Sequence, residues 1–129
     1  MANGTIAFDT LQTSDAKKSG TAKSLDTSYI YNGVVKTWID LDGTDTIAID
    51  DSLNCASATD NATGNYTVTF TNSMNSATYS GAAMGANRRV VIFNSRAAGY
   101  TNVYTQDHND STNEADSDPT CFHICGDLA

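Results

Sequence analysis

Apolar and polar residues alternate with a period of two along much of this chain, whereas the spacing typical of an amphipathic helix is almost absent. The clearest strand spans residues 66–71, where Tyr66, Val68 and Phe70 share one face and threonines form the other. Similar strands are predicted at 34–42, 44–53, 77–84, 89–93, 100–106 and 120–125. We therefore expect an all-β fold, an antiparallel β-sandwich or small barrel of about seven or eight short strands.

Turn residues between these strands indicate how the strands connect. The dipeptide Asp42-Gly43 predicts a tight hairpin, so the strands at 34–42 and 44–53 should pair antiparallel. The best helical candidate spans residues 26–31 and is only about two turns long. The other predicted connections are a polar segment at 54–60, a turn at 61–65 and a long acidic loop at 107–119.

The first quarter of the chain is less regular than the rest, and Ile6, Phe8 and Leu11 predict no more than one short strand there. The turn dipeptide Asn32-Gly33 precedes the first strong strand and marks a boundary. We predict an irregular N-terminal arm or assembly segment over 1–33 and a β-sandwich domain over 34–129, with one continuous domain over 1–129 as the alternative. The candidate assembly residues of this arm are Lys17, Lys18 and Lys23.

The composition is strongly acidic, which limits the partners that such a chain can have. Seven Lys and Arg residues stand against fifteen Asp and Glu residues, giving a formal net charge of −8 at pH 7. Nucleic acid and anionic lipid repel a chain of this charge, so neither is expected as a partner. The sequence shows no long apolar run and no basic, apolar leader, so we expect neither membrane insertion nor a classical signal peptide.

The three cysteines, Cys55, Cys121 and Cys125, are expected to be free thiols. Residues four apart on a strand are separated by roughly 13 Å, which argues against a disulfide between Cys121 and Cys125. The pattern Cys121-x-His123-x-Cys125 is also a poor zinc site, because zinc needs about four converging ligands and these side chains are spread along a strand. A half-buried closing strand is the preferred interpretation.

Asp40, Asp42 and Asp45 resemble a fragment of a calcium-binding loop, since calcium binds carboxylate oxygens. The glycine and the final acidic position do not match that loop, so a β-turn is the preferred interpretation and no metal or other cofactor is expected. Asp50 and Asp51 are adjacent on a strand and face opposite sides, which is unsuitable for a glycosidase pair. Two histidines without a recognisable triad leave no catalytic arrangement, so enzyme activity is not expected.

A tryptophan strand, a corner and a turn into an aromatic strand follow one another in this sequence. Their residues are KTWIDLDGT at 36–44, TIAIDDSLN at 46–54 and TDNATGNYTVTF at 59–70. The opening NGTIAFDT at 3–10 and the ending FHICGDLA at 122–129 fit the same pattern. Together these segments resemble the recurrent module of bacteriophage tail-fibre and related virion proteins, especially those of phages of marine bacteria.

This resemblance implies a structural virion protein of the fibre or knob type, assembled in the host bacterial cytoplasm. Such modules are commonly homotrimers that contact other virion proteins and a glycan or protein of the host surface, without catalysis. A capsid decoration (cement) protein or head fibre is one alternative, and a carbohydrate-binding module is a second.

Tyr100 and Tyr104 share one face of a predicted strand beside the acidic loop, and Asp107 and His108 follow them. Tyrosine contacts sugars and proteins at a low cost in conformational entropy. These four residues are therefore the candidate receptor-binding residues, whereas Tyr66 is expected in the core.

Overall fold

The computed structural model describes residues 10–12 and 24–129. The chain divides into two compact units, Met1–Val34 and Val35–Ala129. The assembly role of the first segment stays a prediction, and its three lysines at positions 17, 18 and 23 lie outside the described residues. Within the described residues, no helix combines the length and the apolar character that crossing a bilayer requires.

In the first unit, a short antiparallel strand pair precedes one helix. The elements are β1 (Thr10–Gln12), β2 (Ser24–Asp26) and α1 (Thr27–Gly33). Asp26 caps α1, because its carboxylate accepts a hydrogen bond from the backbone N–H of Ser28 at 2.7 Å. The predicted two-turn helix is confirmed. Of the predicted early strand, Leu11 lies in β1, whereas Ile6 and Phe8 lie outside the described residues.

The second unit contains nine strands in two antiparallel sheets. The strands are β3 (Val35–Asp42), β4 (Ala48–Leu53), β5 (Cys55–Ala62), β6 (Asn65–Phe70), β7 (Ser80–Gly85), β8 (Arg89–Ala97), β9 (Tyr100–Asp107), β10 (Asp110–Glu114) and β11 (Thr120–Cys125). The four-stranded sheet has the order β4-β3-β11-β7. In the five-stranded sheet, β5 pairs with β6 and β6 with β9, while β8 and β10 both pair with β9. The predicted all-β, sandwich-like fold is confirmed.

The hydrophobic core consists of inward side chains from alternate strand positions, as a half-buried sheet requires. Its members from β3, β6, β9 and β11 are each at most 5% exposed: Ile39, Leu41, Tyr66, Val68, Phe70, Val103, Phe122 and Ile124. The rings of Phe93 and Phe122 meet edge to face across the two sheets, with centroids 5.7 Å apart. The predicted shared face of Tyr66, Val68 and Phe70 on β6, and the core position of Tyr66, are confirmed.

Two segments that were expected to be connections are strands. Residues 54–60, predicted as a polar connection, fall largely in β5, which pairs with β6. Residues 107–119, predicted as one long loop, contain β10, which pairs with β9. Both predictions are wrong because these two strands carry few apolar residues. Backbone hydrogen bonds hold such strands in a sheet without an apolar face, so alternation does not reveal them.

The β3–β4 hairpin forms, but the predicted tight turn is wrong. β3 ends at Asp42 and β4 begins at Ala48, so five residues connect the strands. The carboxylate of Asp42 accepts hydrogen bonds from the backbone N–H and the hydroxyl of Thr44, at 2.8 and 2.6 Å. The N–H of Gly43 donates to the carbonyl of Ser117 at 3.1 Å. These contacts stabilise a wider loop.

β9 changes its neighbour along one edge at Thr105. Up to Tyr104 it pairs with β6, and from Gln106 onward with β10. Between these segments, the N–H of Thr105 donates to the carbonyl of Gly64 at 2.8 Å, and the carbonyl of Thr105 accepts from the N–H of Ala115 at 3.0 Å. β6 and β10 therefore lie end to end along one edge of β9, while β8 occupies the other edge.

Candidate binding surfaces

The outward side of the five-stranded sheet carries polar and aromatic side chains. Because Tyr66, Val68 and Val103 point into the core, strand alternation turns their neighbours outward. The register places Ile92 and Tyr104 in one cross-strand row on this side. The outward residues in the central rows of β6, β8 and β9 form a surface that we call the uncharged face. Its members are Asn65, Thr67, Thr69, Ile92, Asn94, Tyr100, Asn102 and Tyr104.

Asn102 links the strands of the uncharged face through its side-chain amide. Its Nδ2 lies 2.7 Å from Oδ1 of Asn65 and 3.1 Å from Oγ1 of Thr67, both on β6. Its Oδ1 accepts a hydrogen bond from Nδ2 of Asn94 on β8 at 3.0 Å. The Nδ2 of Asn61 on β5 donates to Oγ1 of Thr67 at 2.9 Å. This network spans four strands and fixes the polar side chains of the face.

The predicted receptor tyrosines lie on this face, on either side of Asn102. Tyr100 is 41% exposed and Tyr104 is half-buried. Ile92 adds an apolar side chain that is 41% exposed beside Tyr104. Since the two tyrosines are four residues apart on one strand, they are separated by roughly 13 Å along it. The face therefore offers two separate aromatic contacts with a fixed amide between them.

The other two predicted receptor residues lie at the end of β9, away from the tyrosine pair. Asp107 forms an ion pair with Arg89 at 2.9 Å. Its pKa is lowered, chiefly because its carboxylate accepts a hydrogen bond from the backbone N–H of Asn109, and further by Arg89. His108 is exposed in the turn before β10. The structure thus places Tyr100 and Tyr104 on the uncharged face, and Asp107 and His108 beyond its end, where β9 leads into the turn.

The candidate calcium ligands are dispersed over β3 and the loop after it. Asp42 is engaged by Thr44, and this hydrogen-bonding lowers the pKa of Asp42. Asp45 lies in the left-handed backbone region, with φ of 49°, as expected of a turn residue. Asp40 faces outward from β3. Among the described residues, no group of three or more His, Cys, Asp or Glu side chains is arranged to hold a metal ion.

Cys55, Cys121 and Cys125 are thiols that take part in no disulfide, as predicted. Burial raises the pKa of Cys121 to about 11, and Asp40, which lies 3.3 Å from its sulfur, contributes to this shift. Burial likewise raises the pKa of Cys55 to about 11. Both groups stay protonated at neutral pH, whereas metal binding and nucleophilic attack need the thiolate.

A groove of about 390 Å³ lies on the outward side of the four-stranded sheet. Two adjacent cross-strand rows line it, and each row contains one residue from β3, one from β11 and one from β7. The first row joins a tryptophan, a histidine and an alanine, and the small alanine leaves space beside the larger side chains. We call this feature the Trp38 groove, with the outward lining residues Trp38, Asp40, Ala82, Met84, Cys121 and His123.

Acidic side chains concentrate at one end of this sheet face. Asp40 on β3 lies directly opposite Asp51 on β4, and like charges repel at such positions. The pKa of Asp118 is raised by desolvation and by the nearby charges of Asp42, Asp50 and Asp40. A cationic group placed among these carboxylates would relieve their mutual repulsion.

Sequence reasoning did not identify the groove or the opposed carboxylates. The available signal was that Trp38 alternates with the buried side chains of β3, which places it on the outward side. The pairing of Asp40 with Asp51 depends on a register shift between Asp40 and Leu41 in the β3–β4 ladder. Such a shift cannot be predicted from the alternation of side chains within one strand, because it changes only which residues of the two strands are paired.

Comparisons with known proteins give no relative from which a function could be carried over. No protein-family model, no curated protein and no solved structure matches this chain.

Proposed function

We propose that this protein is a structural virion component of a bacteriophage, a fibre- or knob-type β module that assembles as a homotrimer. It contacts the host surface through the uncharged face and acts by binding, without catalysis. The resemblance of the tryptophan strand and the following turns to virion modules is the basis for the virion assignment. The geometry of the uncharged face supports the binding role.

The observation that carries the binding role is a charge-free sheet face on a chain with a net charge of −8. Contact surfaces between proteins are depleted in charge at their centre and enriched in tyrosine. Tyr100 and Tyr104 supply such aromatic contacts, and Ile92 supplies an exposed apolar group beside Tyr104. A partner can therefore approach this face without displacing water from a carboxylate.

The hydrogen-bonded amides make this face suitable for binding because their side chains are already held in place. Asn102 is only 8% exposed and contacts both neighbouring strands. Ordering a free side chain at an interface costs about 0.5–1.5 kcal/mol. The network around Asn102 removes much of that cost before the partner arrives.

The chemistry of the described side chains also favours binding over catalysis. The raised pKa values of Cys55 and Cys121 keep both thiols protonated. The proposal therefore assigns no covalent step to these residues. The raised pKa values also distinguish this protein from a cysteine-dependent enzyme that would use Cys55 or Cys121, because such a nucleophile needs a lowered pKa.

The test combines location with binding. Antibodies against the full-length protein should label fibres or tips of virions that carry it, seen by immunogold electron microscopy. Fluorescently labelled protein should bind the bacterial cells that support the phage, and Ile92→Asp should reduce this binding at least tenfold. Ile92 lies directly opposite Tyr104 on the face, where a carboxylate buried by the partner is unfavourable.

The matched control is Val34→Asp, which introduces the same charge at an apolar residue of similar exposure outside both sheets. Val34 is 49% exposed and Ile92 is 41% exposed. Equal loss of binding in both variants would contradict a contact through the uncharged face. Labelling spread over the capsid would favour a decoration protein. Binding to isolated glycans without any virion label would favour a carbohydrate-binding module.

A further inference from the structure

We propose that the Trp38 groove binds the lysine-bearing segment of a second copy of this chain, residues 16–25. The inference rests on the proposed function, because it names the surface through which copies of the module assemble. It leaves the uncharged face available for the host.

The distribution of charge along the chain is the first reason. Residues 35–129 carry twelve acidic and four basic side chains, hence a formal net charge of −8. Residues 1–34 carry three acidic and three basic side chains and are neutral. Within them, residues 16–25 hold all three lysines and no acidic residue. This segment therefore carries three positive charges and no negative one, and it is complementary to an acidic face.

The groove itself has the chemistry that a lysine side chain needs. Lysine places its methylene stem along apolar surface while its ammonium group stays near charge or water. Trp38, Ala82 and Met84 offer the apolar surface, and Met84 is 66% exposed. Asp40 lines the same groove and lies opposite Asp51. An ammonium group over the indole ring adds a cation–π attraction.

The groove does not suit a symmetric contact with itself. Two facing copies of this surface would bring Asp40 and Asp51 of one protomer towards the same residues of the other, which is repulsive. A contact between two different surfaces has no such conflict. Repetition of one heterologous contact also generates closed rings such as a trimer, which an isologous contact cannot.

The segment is long enough for this contact. Ten residues reach at most about 35 Å when fully extended. Four strands spaced about 4.8 Å apart place their outer members about 14 Å from one another. A segment of this length can therefore cross the four-stranded sheet and place more than one lysine near the carboxylates.

The first test measures the mass of the full chain by light scattering. We expect assembly at low salt and a fall towards 13.7 kDa at 1 M salt, where charges are screened beyond about 3 Å. The triple variant Lys17→Gln, Lys18→Gln, Lys23→Gln should be monomeric at low salt, and so should Asp40→Asn with Asp51→Asn. The charge-matched control, Asp45→Asn with Asp60→Asn, removes two exposed carboxylates that do not line the groove and should keep the assembled mass.

The second test mixes the two defective variants. The lysine variant retains a groove and the groove variant retains a lysine segment, so a one-to-one mixture should form a heterodimer that neither forms alone. Trp38 is the only tryptophan in the sequence, so its emission reports the groove directly. Mixing should shift this emission in the lysine variant.

Three results would overturn the inference. One is an assembled mass that both variant sets leave unchanged. Another is a mixture that shows neither a heterodimer nor a shift in emission. A third is a protein of monomeric mass whose Trp38 emission changes when the three lysines are replaced, because the segment would then bind the groove of its own protomer. The Ile92→Asp variant tests the host contact separately. If the protein still binds cells through Ile92 when any of these three results is found, the inference fails and the proposed function remains supported.

Discussion

The hydroxyl of Tyr66 lies 2.8 Å from Oδ1 of Asp116, and this contact ties the buried part of β6 to the segment after β10. The same carboxylate oxygen accepts a hydrogen bond from the N–H of Gly64 at 2.7 Å. The tyrosine hydroxyl also lies 3.0 Å from the carbonyl oxygen of Gly43. Three connections between strands therefore meet at one phenol, whose ring is completely buried.

The first prediction concerns this phenol. Tyr66→Phe should lower the free energy of unfolding by about 1–3 kcal/mol, because the acceptors on Asp116 and Gly43 lose their donor. The measurement is equilibrium unfolding in urea. Tyr29→Phe, at a residue that is 70% exposed, is the control and should have little effect. Equal effects of the two substitutions would show that the hydroxyl contacts are not important for stability.

Gly43 should tolerate no larger side chain, because a Cβ atom there would collide with the hydroxyl of Tyr66. We expect Gly43→Ala to destabilise the fold by roughly 1–3 kcal/mol, the usual range for overpacking. The double variant with Tyr66→Phe should be somewhat more stable than the sum of the two single effects predicts, since the oxygen is gone while the ring carbon Cζ, 2.5 Å from the added Cβ, still crowds it. A double-mutant cycle in urea measures this coupling, and additivity would contradict it.

Asp118 should destabilise the folded protein at neutral pH. Its folded-state pKa is raised, so its ionised form is less favourable in the fold than in the unfolded chain. Asp118→Asn should therefore raise the melting temperature at pH 7, and this advantage should disappear as the pH falls through the range where Asp118 is protonated. Thermal unfolding between pH 3 and pH 7 measures it. Asp60→Asn, at an exposed residue of β5, serves as the control, and an equal gain there would contradict the role of Asp118.

Asp107 should behave in the opposite way. Its folded-state pKa is lowered, so ionised Asp107 stabilises the fold at pH values above the unfolded pKa. This contribution is lost as the pH falls through the folded pKa. We expect Asp107→Asn to lower the melting temperature at pH 7 and to converge with the native protein in acid. A difference that persists unchanged in acid would point to another role for this side chain.

The thiol of Cys121 should react slowly with alkylating reagents. With a pKa of about 11, only about one thiol in a thousand is ionised at pH 8. Asp40→Asn should accelerate alkylation, because Asp40 raises this pKa through its charge and hydrogen bond, but burial should keep the rate below that of a free thiol. Mass spectrometry of Cys121-containing peptides gives the rates. An unchanged rate in Asp40→Asn would contradict the effect of this neighbour.

The strands that the sequence predicts correctly are those that bury one face. In β6 and β11, each inward position is apolar or a threonine, so a period of two indicates both the strand and its orientation. β5 and β10 lack this pattern, because their place in the sheet depends on backbone pairing with a neighbour. Sequence alternation detects a row of large apolar side chains, and neither strand contains such a row.

The candidate surfaces were partly predictable for the same reason. Tyr100 and Tyr104 could be assigned to one strand face from their spacing alone. The amide network around Asn102 could not, because its partners on β6 are 35–37 positions earlier in the chain. The Trp38 groove likewise depends on which strands flank β11. Such contacts require the strand order, which local sequence does not determine.

The end-to-end arrangement of β6 and β10 along β9 has a consequence for how this protein can vary between relatives. The ladder between β6 and β9 is complete at Tyr104, before the β9–β10 turn begins. Insertions or deletions in that turn would therefore reshape one tip of the molecule while the rest of the sheet kept its register. A change of length in this turn is therefore separated from the ladder that joins β6 to β9.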